Sequence, residues 1–312
     1  MKIITKAQIE AILPTLDPIP AIEQGFVEYS AGKCNVPPIG ELLMEKGEVH
    51  IKYGCITGEE FYVIKIASGF YDNPKIGLPS SNGMMCVFSQ NTGEVVAILH
   101  DECLLTDVRT AIAGTVSAKY LAPKNVTAIG IVGTGVQARM QAEYLKTVTD
   151  CKDIIVWGRS TEGLLDYKRY MNALGYGVHA TKDMAELCAN ANLIVTTTPA
   201  HAPLMTADMI RPGTHITAMG SDTLEKQELD PEILARADMV VVDSIPQSET
   251  RGEVCKARDA GTITDDDIVE LGTVISSGKG RTSDDQITVA DLTGVAVQDI
   301  KIAEAVYLAT LN

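Results

Sequence analysis

The sequence predicts an α/β fold, in which a doubly wound parallel sheet follows an N-terminal sheet of a different kind. Three observations support this prediction. Short apolar segments alternate with helical segments over residues 123–291. A glycine-rich turn at 133–135 separates the first of these apolar segments from the first helical one. Before residue 122, strand-like segments such as EVHIKYG and FYVIKIASGF are joined by hairpin-like turns (TGEE and NTGE), which indicates an antiparallel or mixed sheet.

The composition excludes several classes of protein. The chain has 312 residues, 46% of them hydrophobic, so a large core can form. Its net charge of −15 argues against nucleic acid or an anionic membrane as a partner. No segment approaches the length of a membrane span, and the N-terminus does not resemble a signal peptide, so we expect a cytoplasmic protein. Seven scattered cysteines and five isolated histidines indicate neither a disulfide framework nor a metal site.

The glycine turn IGIVGTGVQA predicts a dinucleotide site. Gly133 permits a tight turn, Gly135 lets the backbone approach a pyrophosphate, and Ala138 lets the helix pack closely on the strand. The N-terminus of the following helix attracts phosphate charge. A purely structural turn is the alternative, but the position between a strand and a helix favours a nicotinamide or flavin dinucleotide.

The end of the second strand of this domain bears on the choice of cofactor. An NAD site usually carries Asp or Glu there, whereas this sequence reads VWGRS, with Gly158, Arg159 and Ser160. An arginine at this place can pair with a 2′-phosphate, which favours NADP(H) over NAD(H). The alternative is a solvated Arg159 and a Ser160 that caps the next helix.

Three charged residues stand out from their surroundings. Lys65 lies in an apolar strand, where it either reaches solvent from a sheet edge or awaits an anionic ligand. Arg109 is expected in the first turn of a helix whose predicted N-cap is Thr106; the helix dipole disfavours a cation there but would welcome a carboxylate ligand. The alternative is an Arg109 on the solvent side of the helix. Asp222 follows the strand HITAMG, at the sheet edge where ligands bind, although it also suits a turn. Ser80, in GLPSSNG, is most simply a turn residue.

Taken together, these segments resemble the ornithine cyclodeaminase/μ-crystallin family. The matching segments are KIASGFYDNPKIGLPS, LTDVRTAIAG, GTGVQA, GSDTLEKQELDP and ITVADLTGVAVQD, in the family's order along nearly the whole chain. The resemblance implies that residues 1–122 and 292–312 form a substrate-binding and dimerisation domain, and that residues 123–291 form a Rossmann NAD(P)-binding domain. It also implies a homodimer, with the active site in the cleft between the domains.

The resemblance assigns roles to matching residues. Lys65 and Arg109 would hold the carboxylate of a small amino-acid or imino-acid substrate, Asp222 would handle its amine, and Ser80 and Asn73 would lie near it. The residues that would contact the cofactor are Gly133, Gly135, Val136, Gln137, Arg159, Ser160, Thr197, Thr110 and Met219.

Two departures from the family bear on the reaction. Cyclodeaminases carry a cation where this chain has Ile39 and a catalytic glutamate where it has His50, which is either a replacement acid/base or a solvated residue. The resemblance therefore favours a ketimine reductase or amino-acid dehydrogenase that exchanges hydride at a Cα–N bond. An ornithine cyclodeaminase, which converts ornithine to proline and ammonia, is the first alternative, and a binding protein for NADPH and a small ligand is the second.

Overall fold

A computed structural model describes residues 1–311 and divides the chain into two units. The first unit comprises Met1–Thr110 and the segment from Val295 to the C-terminus; the second is Ala111–Gly294. The division falls within a long helix, whereas the sequence-based boundary lay at that helix's end, at residue 122. Within residues 1–311, the structure forms no helix that is both long and apolar enough to cross a membrane.

The strands and helices are numbered in chain order. The strands are β1 (Lys2–Thr5), β2 (Cys34–Asn35), β3 (Gly40–Met44), β4 (Gly47–Ile56), β5 (Phe61–Gly69), β6 (Ser81–Ser89), β7 (Val95–His100), β8 (Ile129–Val132), β9 (Asp153–Trp157), β10 (Gly177–Thr181), β11 (Leu193–Thr196), β12 (His201–Met205), β13 (His215–Ala218), β14 (Gln227–Leu229), β15 (Met239–Val242), β16 (Ile268–Glu270) and β17 (Thr288–Asp291). The helices are α1 (Lys6–Ile12), α2 (Ile19–Ser30), α3 (Leu104–Leu121), α4 (Val136–Tyr144), α5 (Thr161–Ala173), α6 (Met184–Asn190), α7 (Pro231–Arg236), α8 (Gly252–Asp259), α9 (Leu271–Ser277) and α10 (Ala296–Ala309).

The first unit is built on a mixed sheet. Its strand order is β1-β7-β6-β5-β4-β2, with β3 paired to β4, and only β1 runs parallel to its neighbour. The last helix, α10, packs against β4, β5 and α2. The central strand β5 therefore has one face under α10, and side chains on that face are removed from water.

The second unit is a doubly wound parallel sheet, as the sequence predicts. Its eight strands run in the order β10-β9-β8-β11-β13-β17-β15-β16, and all pair in parallel. Apolar residues of α4 and α5 pack on one face of the sheet, and those of α6, α7 and α8 pack on the other. The strand that follows β8 in the chain, β9, pairs with one side of β8. A later strand, β11, pairs with the other side of β8. This reversal opens a crevice at the carboxyl ends of β8 and β11, where ligands of such sheets bind.

The start of α3 differs from the prediction. The helix begins at Leu104, so Thr106 lies inside the first turn and is not the N-cap. Arg109 therefore lies in the second turn, and the expected first-turn position of this cation is wrong. The capping side chain is that of Asp101, whose Oδ2 accepts the Leu105 N–H at 2.8 Å. Glu102 and Cys103 have φ values of 53° and 72°, and this left-handed pair turns the chain back so that Asp101 reaches the helix end.

Candidate functional site

Two cations and one carboxylate are buried together in the first unit. The Lys65 Nζ lies 3.2 Å from Asp299 Oδ2, and the Arg109 Nε lies 3.0 Å from Asp299 Oδ1. Arg109 also donates through Nη1 to Gln298 Oε1 at 3.1 Å. Lys65 is 2% exposed, Arg109 is 5% exposed and Asp299 is 1% exposed. A buried cluster with two positive charges and one negative charge suits the binding of a further carboxylate.

Lys65 does not reach solvent, so the edge-strand interpretation is wrong. It lies in β5, which has a hydrogen-bonded neighbour on each side. Burial, and then the charge of Arg109, hold the pKa of Lys65 below its ordinary value of 10.5, while Asp299 opposes this shift. Asp101 is also buried near it, and burial raises the pKa of that carboxyl to about 6. An ammonium group in this environment gains more from a carboxylate ligand than an exposed one would.

Asp299 and Gln298 were not singled out by the sequence reasoning. Both belong to the matched segment TGVAVQD, at the start of α10, and both are buried. The available signal was an acid in the first turn of an otherwise apolar helix. Burial of such an acid requires a cation nearby, but the identity of that cation depends on how α10 packs on the sheet.

His50 is buried, so the solvated alternative is wrong. It lies on the β4 face that also carries Glu48 and Lys52, and Lys52 is directly opposite Lys65 in the sheet. The His50 Nδ1 is 3.5 Å from Glu41 Oε1, and its Nε2 is 3.6 Å from Glu48 Oε1. The polar side of this alternating strand therefore faces inward, and it places an acid/base group on the same face as Lys65.

Asn73 and Ser80 lie in the segment between β5 and β6. The Asn73 side-chain amide donates to the carbonyl of Pro79 at 3.1 Å, and the Phe70 N–H donates to the carbonyl of Ser80 at 2.7 Å. Both residues thus hold this loop together, as the turn interpretation of Ser80 expects. Their contact with a substrate remains a prediction.

The glycine turn lies at the crevice between β8 and β11 in the second unit. Gly133 has a φ of 120°, which favours glycine, and its N–H donates to the carbonyl of Trp157. The hydroxyl of Thr197 donates to the Val132 carbonyl at 3.0 Å. Beyond its chain neighbours, no described atom lies within 4 Å of the place where a Cβ of Gly135 would stand. This open space at the start of α4 fits the close approach of a pyrophosphate to the backbone.

The other predicted cofactor residues lie around this turn or on α3. Val136 and Gln137 form the first turn of α4, with Val136 57% exposed. Met219 follows β13 and is in contact with Gln141 of α4. Thr110 lies on α3 and is the last residue of the segment Met1–Thr110, which belongs to the first unit. Their roles toward a cofactor remain predictions.

The end of β9 carries no acidic residue. A Cβ at Gly158 would stand 2.8 Å from the Thr134 side chain, so an aspartate at this position would require that side chain to move. Arg159 is exposed and lines a pocket of about 220 Å³ together with Trp157 and Thr198. Ser160 caps α5 by accepting the Gly163 N–H at 3.0 Å, as the alternative interpretation expects. Arg159 thus borders a cavity at the carboxyl edge of the sheet.

Asp222 lies in a loop that is held by three hydrogen bonds. Its carboxylate accepts from Lys226 Nζ at 2.7 Å, and its carbonyl accepts from Arg251 at 3.2 Å. The Ser221 hydroxyl donates to the Lys226 carbonyl at 2.7 Å. Asp222 is 39% exposed at its side chain, whereas Lys226 is buried. A carboxylate that is fixed in position but accessible to solvent is suited to exchanging a proton with a ligand.

Further buried carboxyls lie behind this edge of the sheet. Burial raises the pKa of Asp291 and of Glu228 to about 7, and it raises the pKa of Glu253 as well. Because the folded state holds these protons more tightly than the unfolded state, each group destabilises the fold as the pH rises from its unfolded pKa to its folded one. Burial lowers the pKa of His215 to about 3. This group therefore destabilises the fold as the pH falls from its unfolded pKa of 6.5 toward its folded one.

We expect Asp291→Asn to gain stability relative to the wild type as the pH rises from 5 to 8. The amide keeps an acceptor for the Val254 N–H, which now donates to Asp291 Oδ2 at 2.8 Å, but it has no proton to lose. Each unit of pKa shift corresponds to about 1.4 kcal/mol. Urea unfolding of both proteins at several pH values measures the difference, in which the shared effect of His215 cancels. A difference that does not change with pH would contradict the expected titration of Asp291.

Known proteins match the chain over its whole length. The sequence profile of the ornithine cyclodeaminase/mu-crystallin family matches residues 1–312. An uncharacterised cyclodeaminase of Sinorhizobium fredii is 42% identical, with 97% of this chain and 94% of the relative covered. An alanine dehydrogenase of Archaeoglobus fulgidus is 35% identical, with 98% and 94% covered.

Two solved structures share the fold of the whole chain. An archaeal alanine dehydrogenase dimer with bound NAD superposes with a TM-score of 0.91 at 33% identity, with 100% of this chain and 96% of that one covered. The Δ1-pyrroline-2-carboxylate reductase of Thermococcus litoralis, in complex with NADH and L-proline, superposes with a TM-score of 0.93 at 26% identity, with 100% and 98% covered.

Proposed function

We propose that this chain, which belongs to the ornithine cyclodeaminase/mu-crystallin family, is an NAD(P)-dependent enzyme that exchanges hydride at the Cα–N bond of a small amino acid or ketimine. The physiological activity that we favour is that of a ketimine reductase or amino-acid dehydrogenase. The observation that carries this proposal is the buried group of Lys65, Arg109 and Asp299, in which two cations share one carboxylate. The dinucleotide turn at Gly133 and Gly135 supports it.

The substrate carboxylate would bind to Lys65 and Arg109. Arginine presents two parallel N–H donors to a carboxylate, which fixes the orientation of the group as well as its position. The burial of both cations strengthens the attraction. Holding the carboxylate in this way restricts the rotation of Cα, and the correct orientation of a reacting carbon contributes much of the rate enhancement in such reactions.

Asp222 would handle the proton on nitrogen. Its carboxylate can pair with the iminium or ammonium group, and it can accept or return a proton as the nitrogen changes its charge. The ion pair with Lys226 keeps this carboxylate at one place in the loop. A nicotinamide cofactor supplies or removes the hydride at Cα, and the protein residues provide binding, orientation and the path of the proton.

NADP(H) is the cofactor that we favour, on the basis of Arg159. This guanidinium borders the pocket beside Trp157, and the glycine before it leaves no acid to bind a ribose 2′-hydroxyl. Arginine pairs well with a 2′-phosphate. The two solved relatives described above carry NAD and NADH, so a comparison of both cofactors is part of the test.

Ornithine cyclodeamination is the second candidate. One observation favours it: the buried His50, with Glu41 and Glu48 beside it, places a base on the sheet face that carries Lys65. Cyclodeamination requires a base for the second amine of the substrate, and histidine has a suitable pKa range.

The proposed function is tested with purified protein and a panel of imines. NADPH or NADH is mixed with pyrroline-2-carboxylate, with piperideine-2-carboxylate, or with pyruvate and ammonia, and the nicotinamide absorbance is followed. A parallel sample holds ornithine with a trace of oxidised cofactor and is assayed for ammonia. Consumption of cofactor with an imine supports the reductase, and the NADPH/NADH ratio tests Arg159. Ammonia release from ornithine without net consumption supports cyclodeamination, and no reaction in any sample would overturn both.

We also propose a homodimer that forms through the outer face of the first sheet, the face opposite α10. Tyr53 and Ile66 are each 36% exposed there, and Tyr62 stacks on Phe88 with ring centroids 4.7 Å apart. Adjacent β3 adds Leu42 and Met44 to this face, since they lie opposite Val49 and Gly47 of β4 and are 58% and 47% exposed. A contiguous apolar surface of this kind suits a second copy of the chain.

We expect Ile66→Glu to dissociate this dimer, because it buries a charge in an apolar interface. Sedimentation velocity over a range of protein concentrations measures the effect. Ile76→Glu is the matched control, since Ile76 is 72% exposed and lies outside the outer face. Dimers that persist unchanged in the Ile66 variant would place the interface elsewhere.

A further inference from the structure

The carboxyl of Glu228 joins two loops at the carboxyl edge of the second unit's sheet. Its Oε2 accepts from the Thr196 hydroxyl at 2.6 Å and from the Gly220 N–H at 2.9 Å. Its Oε1 accepts from the N–H and the hydroxyl of Thr198, both at 2.7 Å. Thr196 and Thr198 belong to the end of β11 and the loop that follows, and Gly220 belongs to the loop after β13. One side chain, fully buried, therefore satisfies four donors from two separate segments.

These two loops carry or border the candidate cofactor residues. The residue between the two threonines, Thr197, packs on the glycine turn, where its hydroxyl is 2.5 Å from the place of a Gly133 Cβ. Thr198 lines the pocket that also contains Arg159. Gly220 precedes the loop of Asp222, and a Cβ at Gly220 would collide with the Thr198 backbone and with Glu228 Oε2. The position of Glu228 thus fixes the spacing between the two loops.

The backbone of Glu228 is held from the opposite side. The N–H groups of Glu228 and Leu229 donate to the two oxygens of Glu253 at 2.8 and 3.0 Å. Glu253 lies at the start of α8 and is itself buried. The strand β14 is therefore fixed behind the loops, and the Glu228 side chain extends from a rigid base.

We infer that Glu228 is a positioning residue for the dinucleotide, which holds the loops after β11 and β13 in the arrangement that receives the cofactor. The inference rests on one part of the proposed function, namely that a nicotinamide dinucleotide binds at the glycine turn. Glu228 does not touch the cofactor or the substrate in this role. It acts through Thr196, Thr198 and Gly220.

Glutamine cannot replace Glu228 in this arrangement. Each carboxylate oxygen accepts one backbone N–H, from Thr198 or from Gly220. An amide has only one acceptor oxygen, so its NH₂ group must face one of these N–H donors in either orientation. A hydroxyl can turn away, but a backbone N–H cannot. A buried donor left without an acceptor is costly, and here the loop would move to relieve it.

The test is the dissociation constant of NADPH and of NADH, measured without substrate by the nicotinamide fluorescence. We expect Glu228→Gln to weaken binding by about tenfold or more, as the loss of one buried hydrogen bond would. Asp291→Asn is the matched control, because it also replaces a buried carboxyl by an amide, and the Asp291 side chain accepts from the Val254 N–H of α8 rather than from a donor in either loop. Its dissociation constants should stay within about twofold of the wild type. Wild-type affinity in a folded Glu228→Gln protein would overturn the inference.

A second pair of variants keeps the inference testable if Glu228→Gln does not fold. Thr196→Val removes one hydroxyl donor, while Thr196→Ser retains it. We expect the valine variant to bind the cofactor several-fold more weakly and the serine variant to bind nearly as the wild type does. Equal affinities in the two variants would contradict the inference. If the wild type binds cofactor normally but reduces no imine, the proposed function fails while the role of Glu228 stands.

Discussion

Asp222→Asn is expected to abolish turnover while leaving cofactor binding unchanged. The amide is the same size as the carboxylate but can neither accept nor return the proton that the substrate nitrogen exchanges. Loss of a positioned acid/base group costs about 10²–10⁴-fold in rate. The Asp222 side chain is paired with Lys226, outside the glycine turn, so the dissociation constant of NADPH should not change.

The measurement is kcat and kcat/KM for the imine that reacts, together with the NADPH dissociation constant. Glu225→Gln is the matched control, because Glu225 is an exposed acid in the same loop. It should retain near wild-type rates, which would show that the loss does not follow from a change of charge on the loop. Substantial turnover by Asp222→Asn would remove Asp222 from the reaction.

The parallel sheet of the second unit follows closely from the local sequence. Segments such as LIVTTT and MVVVDS are apolar on both faces, and a strand of that kind must be covered on both sides. The segment ITVAD, by contrast, does not stand out as a strand, although its residues Thr288–Asp291 form β17 in the interior of the sheet. It is short and has no helix directly before it, so its periodicity does not distinguish it from a loop.

The start of α3 shows why some local structure could not be predicted. Thr106 is a good N-cap residue by type, but the side chain that satisfies the helix end is that of Asp101. That reach depends on the left-handed conformation of Glu102 and Cys103, which neither residue favours by itself. The Glu102 N–H donates to the carbonyl of Gly83 in β6 at 3.2 Å, and this contact with a segment some twenty residues earlier cannot be read from the sequence around the helix.

The candidate site shows a similar limit. Lys65 stands out in the sequence because an ammonium in an apolar strand needs a partner, wherever that strand lies in the fold. The partner, Asp299, lies more than two hundred residues further along the chain, on a helix that returns to the first unit. Local spacing contains no information on such a pairing. His50 illustrates the same point, since the alternation of β4 shows two faces but not which one is covered.

Asp299→Ala is expected to destabilise the fold by about 3–5 kcal/mol, because it leaves Lys65 and Arg109 buried without their shared carboxylate. Urea unfolding of the variant and the wild type measures the change. Glu304→Ala is the matched control, since Glu304 lies on the same helix and is only partly buried. Glu304→Ala should lower the free energy of unfolding by much less than Asp299→Ala does. A loss below about 1 kcal/mol in Asp299→Ala would show that the two cations do not depend on Asp299 for their charge balance.

The same variant also tests the carboxylate site directly. If Lys65 and Arg109 form a receptor for a substrate carboxylate, a small carboxylate such as acetate should bind where the Asp299 side chain has been removed. Acetate should then raise the melting temperature of Asp299→Ala more than that of the wild type, with chloride at equal ionic strength as the control. Linked binding of this kind stabilises only the folded state, so the gain should grow with acetate concentration and level off. Equal shifts in both proteins would mean that removal of the Asp299 side chain creates no additional carboxylate site beside Lys65 and Arg109.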